Sequence, residues 1–225
     1  MAAMRKREAF IREGDGLIVF GAGLIVSLLA VLFYPLAYLG LFLDIVGIIL
    51  ILATWNRIEH KERQYIVYAI VLYILTVVVV LAIIFSLLFG SFITAINQQR
   101  ANMTSPASNS IIITNATNQL IKQVIPISAW AKIPTAIALM LFPLGFAVKR
   151  ERYLLYASAA IDIVLGIALY AVIAFGYMQA PTLSYEPGLA PMLNYSSGLL
   201  VFSLGTVLFG LAYIWIGSRL RNRKK

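Results

Sequence analysis

Long apolar stretches separated by short polar segments form the main pattern of this chain. One crossing of a bilayer core about 30 Å thick takes about 20 mainly apolar residues, because a helix rises about 1.5 Å per residue. Six stretches approach or exceed that length: Leu17–Tyr34, Leu36–Trp55, Tyr65–Phe92, Ile127–Val148, Tyr153–Met178 and Gly198–Gly217. The pattern predicts an all-α integral membrane bundle of six transmembrane helices, with residues 1–225 forming a single transmembrane domain.

Prolines and polar residues divide these stretches. Pro35 separates the first two, which predicts a tight hairpin because proline disrupts a continuous helix. Pro134 and Pro143 lie inside the fourth stretch and predict kinks there. Residues 97–126 and 179–197 are rich in polar and turn-forming residues, and they are expected to form two outer loops.

Composition supports membrane insertion. Of the 225 residues, 61% are hydrophobic and 12% are charged, with a mean hydropathy of +0.90. A soluble domain has roughly 45–50% apolar and about 25% charged residues, so a soluble fold of this composition would lack polar surface. The absence of cysteine excludes disulfides, thiolate nucleophiles and cysteine-ligated metal centres.

The distribution of cations predicts the orientation. Lys and Arg accumulate in the cytoplasmic segments of membrane proteins. With an inner N-terminus, fifteen of the eighteen cations lie on the inner side, leaving Arg100, Lys122 and Lys132. Lys132 is expected to reach the outer interface from the end of the fourth helix. We therefore expect a multi-pass protein of the cell membrane with both termini in the cytoplasm.

The two outer loops contain every N-x-S/T triplet of the chain. The acceptor residues are Asn102, Asn115 and Asn194. Such triplets are candidate glycosylation sites, although simple turn chemistry also produces them. Their restriction to the predicted outer side agrees with the orientation that the cations predict.

Two acidic residues lie deep inside the predicted spans. Asp44 is about 12 Å from the outer start of the second helix, and Asp162 is about 13 Å from the inner start of the fifth. Charged groups near the bilayer midplane are costly and commonly take part in transport or proton transfer. The pair is therefore a candidate ion or proton site. The alternative is structural: each acid hydrogen-bonds across a helix interface, with Ser27, Thr76, Ser203 and Thr206 at compatible depths.

Short matching sequences surround the two acids. Leu43–Gly47 and Ile161–Gly166 share the tripeptide Asp-Ile-Val followed by a glycine. The second and fifth helices would be the central members of two three-helix halves with opposite orientations. This arrangement is that of an inverted repeat, which is common in transporters.

Glycines recur at intervals of seven residues. The pairs are Gly16 and Gly23, Gly40 and Gly47, Gly198 and Gly205, and Gly210 and Gly217. Small residues at one helical face allow neighbouring helices to approach closely. The spacing predicts a tightly packed bundle.

Enzyme signatures are absent from the sequence. It contains no H-E-x-x-H, G-x-G-x-x-G, P-loop or G-x-S-x-G motif, and its one histidine, His60, falls in a predicted inner loop. A catalytic Asp44–Asp162 pair would require the second and fifth helices to touch. We expect no catalytic residue, no metal and no cofactor.

The hairpin from Gly21 through Pro35 to Gly47 resembles an uncharacterised family of small multi-span archaeal membrane proteins. The cysteine-free, Ile- and Tyr-rich helices and the Asn/Ser/Thr-rich outer loop are similar to that class of protein. The resemblance covers the first quarter of the chain and implies no activity.

Three functions agree with these features. The first is a non-catalytic scaffold or anchoring subunit of a larger membrane complex. The second is a small proton- or cation-coupled transporter or channel that uses Asp44 and Asp162, and the third is an intramembrane enzyme. Expected partners are the lipid bilayer, anionic lipid head groups at the basic inner face and other membrane subunits, with no nucleic acid.

Overall fold

The computed structural model describes residues 2–29, 35–101, 126–127, 129–174 and 203–222. These ranges contain no β-strand and six α-helices: α1 (Ala2–Leu29), α2 (Pro35–Leu52), α3 (His60–Ala101), α4 (Ala129–Leu144), α5 (Lys149–Ala174) and α6 (Leu204–Arg221). A short 3₁₀ turn, Trp55–Arg57, lies between α2 and α3. The predicted all-α class is confirmed.

The helices extend beyond the apolar stretches that predicted them. α1 begins fifteen residues before Leu17, and α3 runs from His60 to Ala101, past the predicted start of an outer loop at residue 97. Polar residues continue a helix readily where the backbone is solvated, so hydropathy marks the apolar part and not the helix end. The remainder of that loop, the loop 179–197, and Asn102, Asn115 and Asn194 lie outside the described residues.

Two of the described helices are long and apolar enough to cross a membrane. They are His60–Gly90 within α3 and Lys149–Ala171 within α5, while Tyr38–Leu52 and Ala129–Leu144 are shorter apolar helices. The crossing of a membrane by all six helices stays a prediction.

α1 packs against α2 and α6 through glycines on two of its faces. A Cβ added at Gly16 would lie 2.9 Å from the Gly47 carbonyl oxygen, and one added at Gly21 would lie 2.6 Å from the Gly210 carbonyl oxygen. The same close approach joins Gly14 to Gly217. The predicted strips at Gly16/Gly23, Gly40/Gly47 and Gly210/Gly217 therefore lie at helix interfaces. The sequence analysis did not identify the strip formed by Gly14 and Gly21.

An aromatic cluster lies beside these glycine contacts and joins α1, α4 and α6. The ring centroids of Phe20 and Tyr213 are 5.2 Å apart, and those of Phe20 and Phe142 are 5.4 Å apart. The fully buried Tyr213 donates its hydroxyl to the Leu139 carbonyl at 2.6 Å. Satisfying that hydroxyl lets a polar aromatic side chain occupy the centre of the bundle without an unpaired group.

α3 contacts the bundle along its N-terminal half. Ile66, Ala69 and Thr76 are buried, and residues from Leu72 to Ile83 line a cavity shared with the start of α4. Phe85, Phe89 and Phe92 are each more than 60% exposed. The C-terminal half of this helix therefore presents an extended apolar surface.

We expect Gly21→Ala to destabilise the protein by about 1–3 kcal/mol, because the added methyl group overpacks the interface of α1 with α6. The measurement is thermal unfolding of the detergent-solubilised protein. Gly90→Ala in α3 is the control, since an added Cβ there meets nothing within 4 Å. Equal melting temperatures for the two variants would contradict the close α1–α6 approach.

Candidate functional site

Asp162 lies in a polar cluster between α4, α5 and α6. Its side chain is buried, with 2% of the residue exposed. Lys132 donates from Nζ to Asp162 Oδ1 at 2.9 Å, and the Thr206 hydroxyl donates to the same oxygen at 3.4 Å. Thr206 is one of the four residues that the structural alternative placed at a compatible depth. The carboxylate and the ammonium neutralise one another at the middle of α5.

Small residues make room for this ion pair. A Cβ added at Gly205 of α6 would collide with the Cα and Cβ atoms of Asp162, and one added at Gly166 of α5 would lie 3.0 Å from the Lys132 side chain. Both glycines let the charged groups approach the neighbouring backbone closely. Gly205 thus packs against Asp162.

The position of Lys132 corrects one expectation from the sequence. Its side chain, 22% exposed, turns towards Asp162 of α5, whereas the sequence analysis expected it to reach the outer interface. Burial of a carboxylate without a counterion is costly, so the pair forms where the two helices meet. The available signal was a cation inside an apolar stretch, in a chain that also has an acid inside another.

Asp44 has a different environment. The half-buried side chain packs from α2 against the Gly23 backbone of α1, in contact with the position that a Cβ of Gly23 would occupy. Among the described residues, no donor lies within hydrogen-bond distance of its buried Oδ1 atom. Tyr73 and Tyr213 lie within electrostatic reach of the carboxylate. Asp44 is thus an acid without a counterion in the described part of the bundle.

The structure does not bring the two acids into one site. Asp162 contacts α4 and α6, while Asp44 packs against α1. Two other candidate partners make contacts elsewhere: Thr76 donates to the Leu72 carbonyl at 2.7 Å, and Ser27 packs against Gly40. Within the described residues, no group of three His, Asp or Glu side chains is arranged to hold a metal ion.

The N-terminal ends of α3 and α5 make the same two contacts. Glu62 accepts the backbone N–H of Glu59, and Arg63 Nε donates to the Ile58 carbonyl at 2.8 Å. In the turn between α4 and α5, Glu151 accepts the N–H of Val148 at 2.9 Å, and Arg152 Nε donates to the Ala147 carbonyl at 3.0 Å. Both sets of contacts satisfy backbone groups where a helix begins. The inverted repeat stays a prediction.

An arginine of α6 also binds the turn between α4 and α5. Arg219 donates to both carboxylate oxygens of Glu151, at 2.6 and 2.9 Å, and to the Phe146 carbonyl at 2.6 Å. Glu151 is 4% exposed. A bidentate pair of this kind adds geometric specificity to its attraction. It fixes the inner end of α6 to the α4–α5 turn, an interaction that the sequence analysis missed.

Comparisons of the chain with protein-family models, curated proteins and solved structures found no match in any of the three.

We expect Asp162→Asn to destabilise the protein strongly, because it leaves the Lys132 ammonium without its counterion. Breaking a buried pair costs about 3–5 kcal/mol, and the partial exposure of Lys132 places this case near the lower limit. The measurement is chemical unfolding in mild detergent. Asp44→Asn is the matched control and is expected to unfold like the wild type, since Oδ1 of Asp44 has no partner among the described residues.

A double-mutant cycle separates the ion pair from other effects of each substitution. Lys132→Gln combined with Asp162→Asn is expected to cost less than the sum of the single variants, with a coupling of about 0.5–3 kcal/mol. Additive costs would show that the two charges do not stabilise one another.

Proposed function

We propose that this chain is a six-span membrane protein that acts as a non-catalytic scaffold or anchoring subunit of a larger membrane complex. Both termini lie in the cytoplasm and the basic inner face contacts anionic lipid head groups. Support for the membrane location comes from the two membrane-length helices, the two shorter apolar helices and the asymmetry of the cations.

The observation that carries the subunit role is the exposed outer half of α3. Phe85, Phe89 and Phe92 recur at the i, i+4, i+7 spacing of one helix face and are 66, 70 and 64% exposed. In a membrane, van der Waals packing and interhelical hydrogen bonds drive helix association, so a face of rigid aromatic rings suits a partner helix. Lipid chains cover the same surface where no partner binds.

The polar groups inside the bundle also favour a structural role. Lys132 neutralises Asp162, and Arg219 neutralises Glu151. A carboxylate held by a cation and a hydroxyl has little capacity left for a transported ion. These pairs therefore act as links between α4, α5 and α6.

The predicted topology is directly testable, because the chain contains no cysteine and single cysteines can be introduced without background. With a membrane-impermeant maleimide applied to intact cells, we expect labelling at Ser108→Cys and Asn194→Cys. Lys61→Cys and Arg223→Cys are expected to react only after the membrane is permeabilised. Labelling of Lys61→Cys in intact cells would refute the six-span arrangement.

The subunit role predicts stoichiometric partners. We expect native extraction in mild detergent, followed by mass spectrometry, to recover other membrane proteins in constant ratio with this chain. Phe89→Leu is expected to weaken that association several-fold, because it removes an aromatic ring from the α3 surface while keeping it apolar. Phe42→Leu, on an exposed position of α2, is the matched control and keeps the partners.

Recovery of the chain alone would contradict the subunit role and favour the second candidate, a small proton- or cation-coupled transporter or channel. The observation behind that alternative is the unpartnered buried oxygen of Asp44 in the described part of the chain. In liposomes, Asp44→Asn would then abolish ion flux while leaving folding intact. The alternative predicted from the sequence uses both Asp44 and Asp162 near the bilayer midplane.

A further inference from the structure

An open and largely apolar cleft of about 280 Å³ lies along the N-terminal end of α3, with polar side chains at one end. Its lining residues are His60, Arg63, Gln64, Val67 and Tyr68. The first three contribute polar atoms, while Val67 and Tyr68 are 41 and 60% exposed and continue the cleft along the helix. The cleft thus changes from polar to apolar over about two helical turns.

Arg63 is held in place at the polar end of this cleft. Its Nε donates to the Ile58 carbonyl at 2.8 Å, and its guanidinium lies 5.9 Å from the centroid of the Trp55 ring. Within the described residues, Arg63 pairs with no carboxylate. The guanidinium is therefore oriented by two contacts, neither of which is an ion pair.

The order of groups in the cleft matches a phospholipid at the membrane interface. Arginine binds phosphate oxygens through parallel N–H donors. A tyrosine ring at the interface places its apolar body beside acyl chains and its hydroxyl beside head groups. Arg63 lies two residues before the apolar stretch that begins at Tyr65, and Tyr68 lies in the first turn of that stretch, so the phosphate would lie at the predicted cytoplasmic interface.

We propose that this cleft is a specific binding site for an anionic phospholipid, with the head-group phosphate on Arg63 and the glycerol and first acyl carbons along Val67 and Tyr68. The proposal rests on the proposed membrane location and goes beyond a general attraction of the basic face. The cleft beside Arg63, with Val67 and Tyr68 along it, distinguishes this site from a general basic surface.

The turn between α4 and α5 provides an internal control. Arg152 makes the same bond, from Nε to the Ala147 carbonyl at 3.0 Å, and removing its charge changes the net charge of the inner face by the same amount. Glu151 beside it is already paired with Arg219. Arg63→Gln and Arg152→Gln therefore differ in location and not in charge.

The test is native mass spectrometry of the purified full-length chain titrated with phosphatidylglycerol, and separately with phosphatidylcholine. We expect the wild type to retain one phosphatidylglycerol in preference to phosphatidylcholine. Arg63→Gln is expected to lower that affinity by about fivefold or more, the effect of one interfacial cation, while Arg152→Gln leaves it within about twofold. His60→Ala and Tyr68→Phe provide further variants if Arg63→Gln misfolds, and each is expected to weaken retention.

Three results would overturn the proposal. An equal loss of phosphatidylglycerol affinity in Arg63→Gln and Arg152→Gln would show general attraction of the lipid to the basic face. Equal retention of the two lipids would show that the anionic head group is not recognised, and displacement of the lipid by inorganic phosphate alone would identify a site for a free anion. Cysteine labelling tests the membrane topology independently, so failure of the lipid site and failure of the topology are distinguishable.

Discussion

The close backbone contact of α1 with both α2 and α6 is the constraint on which the bundle depends. Glycines at the two faces bring carbonyl oxygens of neighbouring helices within contact of positions where any other residue would place a Cβ atom. Because membranes provide no hydrophobic driving force between helices, such contacts rely on van der Waals packing over a flat surface. Phe20 and Tyr213 pack directly beside these strips, so the separation of the helices at the glycine contacts sets the distance between the two rings.

Polar interactions hold the other side of the bundle. Lys132 with Asp162 links α4 to α5 at mid-helix, and Arg219 with Glu151 links α6 to the inner turn. The two pairs act at different depths, so they restrict rotation of these helices as well as their separation. The hairpin α4–α5 is thereby tied to α6 by directional bonds, in contrast to the non-directional glycine packing around α1.

Hydropathy and residue spacing predicted part of this arrangement. Apolar stretches located each helix, and seven-residue glycine spacing identified three of the interface strips, because both signals depend on local sequence. Helix ends were missed where polar residues continue the backbone, as at the start of α1 and the end of α3. The Lys132–Asp162 and Glu151–Arg219 pairs were missed because each depends on which helices become neighbours, over separations of 30 and 68 residues. The sequence identified Asp44 and Asp162 as acids inside apolar stretches. The distance of each acid from the start of its predicted helix could not show that the two contact different helices.

The length of α3 has a consequence for the surrounding membrane. Its apolar stretch, Tyr65–Phe92, has 28 residues and is therefore about 42 Å long, against a hydrocarbon core of about 30 Å. Such a hydrophobic mismatch is relieved by helix tilt or by local thickening of the bilayer. α3 lies beside the start of α4 between Leu72 and Ile83, and its exposed C-terminal part extends beyond that region. In a thinner membrane the same helix would tilt further from the bilayer normal, and its aromatic face would contact a wider area of the surrounding lipid.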